Sequence, residues 1–233
     1  MATTPKQDAM IWLNTTFGAD MDAAVAGTPI TKKLLIAIAI QETYYVWAKM
    51  YKTAKPEEVL AICVGDTIDF PKRASAWPKD RAQLEAHPKG KQMFKIARQA
   101  LLDIAKFVPG YVPASKNKNK FCHGFGIFQY DIQFFNSGEE DFFLKSEWKT
   151  FPGTLGKGMS ELKEKMKGLY GAGKTKLSHD ESVFLAIAYN QGVAKTKKGI
   201  ANGLKFKQGH KDSNKVFYGE HIDANLKLLK TLF

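Results

Sequence analysis

The stretch Leu34 to Glu42, LLIAIAIQE, constrains this chain more than any other: seven consecutive apolar side chains lead through Gln41 to a carboxylic acid. A helix built on such a run has no polar face to turn outward, so it must be enclosed nearly all round. The acid then stands at the edge of a dry interior. Removing a carboxyl group from water disfavours its charged form and raises its pKa, which is how a glutamate becomes a proton donor near neutral pH. Glu42 is therefore the first candidate for chemistry.

At 233 residues, 44% hydrophobic and 25% charged, the chain has the material for one large domain or at most two small ones, and disorder is not expected. Its net charge of +12 points to a polyanionic partner: nucleic acid, an anionic membrane surface or acidic wall polymers. No apolar run approaches the roughly 18 to 20 residues that span a bilayer, so no membrane span is expected. The opening MATTPKQDAMIWLNTTFGAD lacks the basic segment, apolar core and small-residue cleavage site of a secretory signal. Cys63 and Cys122 allow one disulfide or none.

Thr4 before Pro5 is a helix start, with Ile11, Trp12 and Phe17 as its apolar positions and Gly18 as its stop. Thr28 and Pro29 repeat the start signal ahead of the central run, whose helix is expected to end within Thr43 to Tyr51. The aromatic residues there, Tyr44, Tyr45, Trp47 and Tyr51, either line a sugar cleft beside the acid or pack as core and rim. Pro56 to Pro88, punctuated by Gly65, Pro71 and Pro78, reads as an irregular insertion. Apolar positions from Met93 to Ala105 define an amphipathic helix that ends before Pro109, and Pro113 to Lys120, PASKNKNK, reads as a solvated basic loop. Leu155, Met159, Leu162, Met166 and Leu169 mark another helix. Ser178 with Glu181 forms a capping box ahead of a short buried helix that runs into Tyr189 and Asn190. Gly192 to Asn214 reads as a long lysine-rich loop, and Ile222 to Phe233 as a C-terminal helix. The one strand signal is a short hairpin near Phe125 to Tyr130. The expected fold is mainly α: a helical domain around a buried central helix, with at most a short β-hairpin.

Two further stretches carry polar groups out of apolar surroundings. His123 to Asp131, HGFGIFQYD, brackets Phe125 with Gly124 and Gly126, which permit a tight backbone path close to a ligand, and follows them with Gln129 and an acid. Ala188 to Gly192, AYNQG, presents Tyr189 and Asn190 from the end of a buried helix. Taken in order, IQET (Ile40 to Thr43), GFGIFQYD (Gly124 to Asp131) and AYNQG resemble the goose-type lysozymes and related lytic transglycosylases of the peptidoglycan-cleaving superfamily. That pattern is a buried helix ending in Glu-Ser or Glu-Thr, a Gly-Phe-Gly-Leu-Met-Gln-Val-Asp-like segment and Ala-Tyr-Asn-Ala-Gly. The direct match covers only some twenty residues.

The resemblance implies a lysozyme-like fold in one catalytic domain over residues 1–233, with an insertion at about 52–120. It implies Glu42 as the acid that protonates the glycosidic oxygen and Asp131 as the aspartate that helps to position attacking water. It also implies substrate contacts from Gly124, Phe125, Gly126, Gln129, Tyr189 and Asn190, with Tyr218 of the following helix as a further match. The chain departs from the goose-type pattern in two respects: the roughly eighty residues between Glu42 and Gly124 exceed its usual spacing, and SKNKNKFCH, just before the Gly-Phe-Gly segment, holds no second aspartate. Inverting hydrolysis needs a second carboxylate, whereas a transglycosylase can let the sugar's own hydroxyl attack and use one glutamate as acid and then base. Both outcomes stay open, and Asp66 or Asp69 of the insertion could supply the missing acid. The expected activity is lysozyme-like or lytic transglycosylase cleavage of β-1,4 linkages in peptidoglycan by a monomer at the cell wall, in the manner of a phage-type lysin or an exported effector. Chitin cleavage and a non-catalytic basic glycan- or nucleic-acid-binding module are the alternatives, and nucleic acid is the less favoured partner.

Gly168 to Thr175, GLYGAGKT, satisfies the phosphate-loop pattern, but the amphipathic SELKEKMK precedes it where a working loop needs an apolar strand. The glycines of a helix C-terminus followed by a basic turn explain the match better. His87, His123, His179, His210 and His221 are scattered, His123 beside Cys122 reads as an incidental loop pair, and no C-x-x-C or H-E-x-x-H pair is present. Neither a metal nor another cofactor is expected.

Overall fold

A computed structural model describes residues 3–68 and 77–233. Its elements, in chain order, are α1 (Pro5–Val25), α2 (Lys32–Trp47), α3 (Pro56–Ala61), β1 (Val64–Ile68), α4 (Arg81–Glu85), α5 (Gly90–Phe107), α6 (Val112–Lys116), β2 (Phe121–Phe125), β3 (Tyr130–Asp131), α7 (Glu140–Leu144), α8 (Phe151–Tyr170), α9 (His179–Gln191), α10 (Val193–Ala201) and α11 (Tyr218–Leu232). The fold is mainly helical with a small antiparallel sheet in the order β1-β2-β3. Among the described residues no helix is long and apolar enough to cross a membrane. The chain divides into two compact units, residues 1–41 with 155–233 and residues 42–154. Asp69 lies outside the described residues.

The apolar run behaves as its composition requires: Leu34 through Ile40 are all buried, at no more than 4% exposure. Seven side chains are withdrawn from water, at roughly 1.5–3 kcal/mol for each large one, which holds α2 firmly in the interior. Its start differs from expectation. Thr28 accepts a hydrogen bond from Ile30 N and donates to Val25 O, closing a turn, and the helix is opened three residues later by Thr31, whose hydroxyl accepts from Leu34 N.

In the first unit, α1 begins at the capping box of Thr4 and Gln7. It runs through Gly18, because that glycine is buried within the helix and helical geometry continues across it to Val25. Its apolar face, Ala9, Met10, Leu13, Phe17 and Met21, is buried, and the helix packs on α11. Asn225 of α11 is a buried polar group satisfied on both sides: its amide donates to Ala37 O of α2 and its carbonyl accepts from Lys6 of α1. α9 starts at the expected capping box of Ser178 and Glu181 and packs against α10 and α11. α10 occupies part of the segment read as a loop. Its turn is held by Thr196, which is fully buried and donates to Gly192 O, a signal too polar to register in an apolar pattern.

The phosphate-loop match dissolves in the structure. Gly168 lies in α8, where a Cβ would stand 3.0 Å from Val193, Gly171 has φ +84 just past the helix, and Lys174 is paired with Glu181. The glycines therefore serve helix packing and a left-handed turn.

In the second unit, β2 pairs with β3 as the expected hairpin and, on its other edge, with β1. β1 is not foreshadowed by the sequence, since VGDTI is short and contains a glycine. The segment read as a basic loop begins with the single turn α6 and is pinned by Arg98, which donates to Ser115 O and Lys120 O. Cys63 and Cys122 are buried free thiols, and burial raises both above the ordinary thiol range.

Thr43 ties the end of α2 to this unit. It is fully buried, donates to Ile127 O at 3.1 Å and accepts from Trp47 Nε1 at 3.1 Å. Thr43→Val keeps the shape but removes the donor to Ile127 O and the acceptor for Trp47 Nε1, so urea denaturation should show a loss of about 1–3 kcal/mol.

Candidate functional site

Thr43 and Tyr45 place the end of α2 against the sheet. Glu42 is half-buried beside fully buried Thr43, and Tyr45 lies three residues on, in the next turn of the same face. Tyr45 is about half exposed, and its hydroxyl meets that of Tyr111 at 2.7 Å. Tyr111 also accepts from the backbone N–H of Asp66 at 3.2 Å. Burial raises the Tyr45 phenol and pushes the Tyr111 phenol up to about 12, so both remain neutral hydrogen-bonding groups over the physiological range. Of the other aromatic residues of this stretch, Trp47 and Tyr51 are buried core, their rings 5.6 Å apart.

The turn from β2 to β3 carries the second motif. Gly126 and Gln129 both have positive φ, +77 and +55, and Gln129 donates to Gly126 O from its backbone (3.0 Å) and its side chain (2.9 Å). The other end of the Gln129 amide lies over two facing glycines. Gly65 of β1 and Gly124 of β2 are register partners, and a Cβ on either would come within 2.3 Å of Gln129 Oε1. The clearance left by Gly124 is thus filled by Gln129, and that left by Gly126 by the Thr154 hydroxyl, which a Cβ would also meet at 2.3 Å. Phe125 is fully buried, edge-on to Phe143 and Trp148, so its ring belongs to the core.

Asp131 ends β3 with both oxygens engaged. One accepts from Gln133 N at 2.8 Å, capping the next turn, and the other lies 3.1 Å from His123 Nδ1. The opposite ring nitrogen of His123 is 3.5 Å from the Asp66 carboxylate. This arrangement follows from register: Gly65 pairs with Gly124 and Thr67 with Cys122, which leaves Asp66, at φ +45, facing His123 across the ladder. Burial pulls the imidazole pKa down, but the hydrogen bonds and charges of Asp131 and Asp66 outweigh it and lift the group to about 9. An imidazolium between two carboxylates is the result.

The remaining expected residues lie in the first unit. Tyr189 and Asn190, near the end of α9, are half-buried. Asn190 Oδ1 accepts from His210 N at 3.1 Å, and buried Tyr218 donates its backbone N–H to His210 O at 2.8 Å. Both side chains close on Gly209, whose Cβ would stand 2.6 Å from Tyr218 and 2.9 Å from Asn190. The neighbouring Gln191 accepts from Gly209 N at 3.0 Å. Asn190 and Tyr218 therefore brace one loop together.

The structure thus groups Glu42, Gly124, Phe125, Gly126, Gln129 and Asp131 in one unit, and Tyr189, Asn190 and Tyr218 in the other. Sequence reasoning missed His123 as a charged group, and missed Tyr111. His123 could be found only by recognising β1, because its second carboxylate partner comes from that strand. Among the described residues no group of three or more His, Cys, Asp or Glu side chains could hold a metal ion. No family model, curated protein or solved structure was found to match the chain.

The His123 cluster gives a signed pH dependence. The folded-state pKa, about 9, exceeds the ordinary 6.5, so the stabilisation is complete below about pH 6.5 and disappears as pH rises through 9. Since the Asp66 side chain is 81% exposed and screened, the loss should be on the order of 2 kcal/mol. Urea titrations at pH 6 and pH 9.5 should reveal it, and His123→Gln should flatten the difference.

Proposed function

We propose that this chain cleaves β-1,4 linkages between amino sugars, with peptidoglycan as substrate and Glu42 as the general acid. The observation that carries the reading is the hydrogen bond from Thr43 to Ile127 O. It joins the residue after Glu42 to the Gly124–Asp131 turn, so the acid-bearing helix end and the second motif form one built region. The half-buried setting of Glu42, at the end of a run enclosed on every side, suits a carboxylic acid that must hold its proton until it meets a glycosidic oxygen.

In this mechanism Glu42 gives its proton to the bridging oxygen as the bond from that oxygen to the sugar's anomeric carbon breaks. Asp131 is the candidate second carboxylate, the one that helps to position the attacking water. His123 Nδ1 and the Gln133 N–H, each on a different oxygen, fix the direction of the Asp131 carboxylate. The anomeric carbon is then attacked either by that water, whose proton passes to Asp131, or by the sugar's own hydroxyl, whose proton passes to Glu42, now a carboxylate. Tyr45, exposed beside the acid, offers a ring face on which a sugar can stack. The net charge of +12 would hold such an enzyme on an anionic wall at low ionic strength.

Glu42→Gln should leave the thermal unfolding transition within a few degrees of wild type and reduce peptidoglycan cleavage at least about a thousandfold, read as soluble fragments by mass spectrometry. Reducing ends among wild-type products indicate hydrolysis and anhydro ends transglycosylation, and chitin oligomers assayed in parallel test the substrate. Equal turnover by wild type and Glu42→Gln, or no product from either polymer, would overturn the proposal.

A further inference from the structure

The first unit contains a cavity of about 510 Å³ that has no part in the proposed glycan cleavage. Three elements line it: the first turn of α2 with Thr31, Lys32 and Lys33, the first turn of α9 with Ser178, His179 and Ser182, and α11 with Leu226 and Lys230. Leu177, just before α9, completes the wall. Three lysines line it, and among the described residues no carboxylate does.

The cations are fixed in place. Lys32 is held from outside the cavity by Asp22 at 2.6 Å, and Lys33 by Phe233 O at 2.5 Å. Lys230 is held differently. Its ammonium lies 3.2 Å from His179 Nδ1, and since an ammonium can only donate, that nitrogen accepts and the ring proton sits on Nε2. Nε2 in turn donates to Asp223 at 2.6 Å, and Asp223 is further paired with Lys227 at 2.8 Å. The chain Asp223, His179, Lys230 orients the ammonium while the imidazole ring stands between the carboxylate and the ammonium. Among the described residues Lys230 has no carboxylate partner.

Hydroxyl donors are also at hand. The Thr31 and Ser178 oxygens accept from Leu34 N and Glu181 N, which leaves the hydroxyl hydrogen of each to donate into the cavity. The first turns of two long helices add the partial positive charge of their N-terminal ends to the lysines. Donors therefore approach from three elements, which suits a tetrahedral anion with several terminal oxygens better than a planar one. The volume exceeds that of a bare anion, and the Leu177 and Leu226 side chains offer an apolar wall for an organic group.

We propose that this cavity binds a small phosphate monoester, with Lys230 as its principal cationic contact and Leu177 and Leu226 against the ester group. The full chain, labelled with ¹⁵N, is titrated with inorganic phosphate, phenyl phosphate and acetate, ionic strength being held constant with sodium chloride. Saturable shifts of the α2 and α9 first-turn amides are expected with both phosphates, tighter for phenyl phosphate, and not with acetate. Lys230→Gln should weaken phenyl phosphate binding at least about tenfold, whereas Lys227→Gln, one turn away on the outer side of Asp223, should leave it within about twofold. Thermal unfolding of both variants shows whether the fold is kept. Should Lys230→Gln fail to fold, the double variant Lys32→Gln, Lys33→Gln replaces it, with the same expected loss. Linear, unsaturable shifts, acetate binding as tight as phosphate, or unchanged affinity in a folded Lys230→Gln would overturn the proposal.

Discussion

A hydroxyl cut off from water must find its partners within the protein, and Thr43 finds them both in the turn after β2 and in its own helix. By donating to Ile127 O and accepting from Trp47 Nε1 it fixes the end of α2 against the turn between β2 and β3. A valine would fill the same space and hold neither partner, so shape alone does not explain the threonine. This contact also decides the setting of Glu42, whose backbone can go only where Thr43 is anchored. The enclosed run Leu34–Ile40 fixes the helix ahead of it, and the hydroxyl fixes the helix after it.

Two histidines show how neighbours decide what an imidazole does. His123 stands between carboxylates, so both ring nitrogens carry protons and the ring is a cation near neutral pH. His179 stands between a carboxylate and an ammonium, which places its proton on the nitrogen facing Asp223 and leaves the other as an acceptor. The first ring carries its charge to two carboxylates, Asp131 and Asp66. The second passes orientation from Asp223 to Lys230 while keeping the two charges apart. Neither role is visible in the residue type, only in the pair of groups that flank it.

Much of the helical frame was legible in the sequence because it rests on local signals. The Thr4-Pro5 start, the capping box at Ser178, the buried run from Leu34 and the periodic apolar positions of α5, α8 and α11 each act within a few residues of themselves. The failures have a different origin. Gly18 lowers helix propensity but is overridden by burial of the face around it, and α10 is held by a threonine hydroxyl that no apolar pattern reveals. β1 is stabilised by pairing with a strand far along the chain, so five residues with an internal glycine carry almost no signal of their own. The site shows the same division. Glu42, Gln129 and Asp131 stand out by motif, whereas the cluster of His123 with Asp66 depends on that unseen strand.

The amide of Gln129 has a consequence for how the sheet assembles. It rests on two bare backbone positions, Gly65 and Gly124, that must lie side by side for it to fit. Slipping β1 by a single residue would bring the Cβ of Asp66 or of Val64 beneath the amide and expel it. Since the strand is too short to enforce its own alignment through a long hydrophobic pattern, the glutamine acts as a steric gauge that admits one pairing and rejects its neighbours. The same alignment brings Asp66 opposite His123, so a side chain with no charge decides which charges meet.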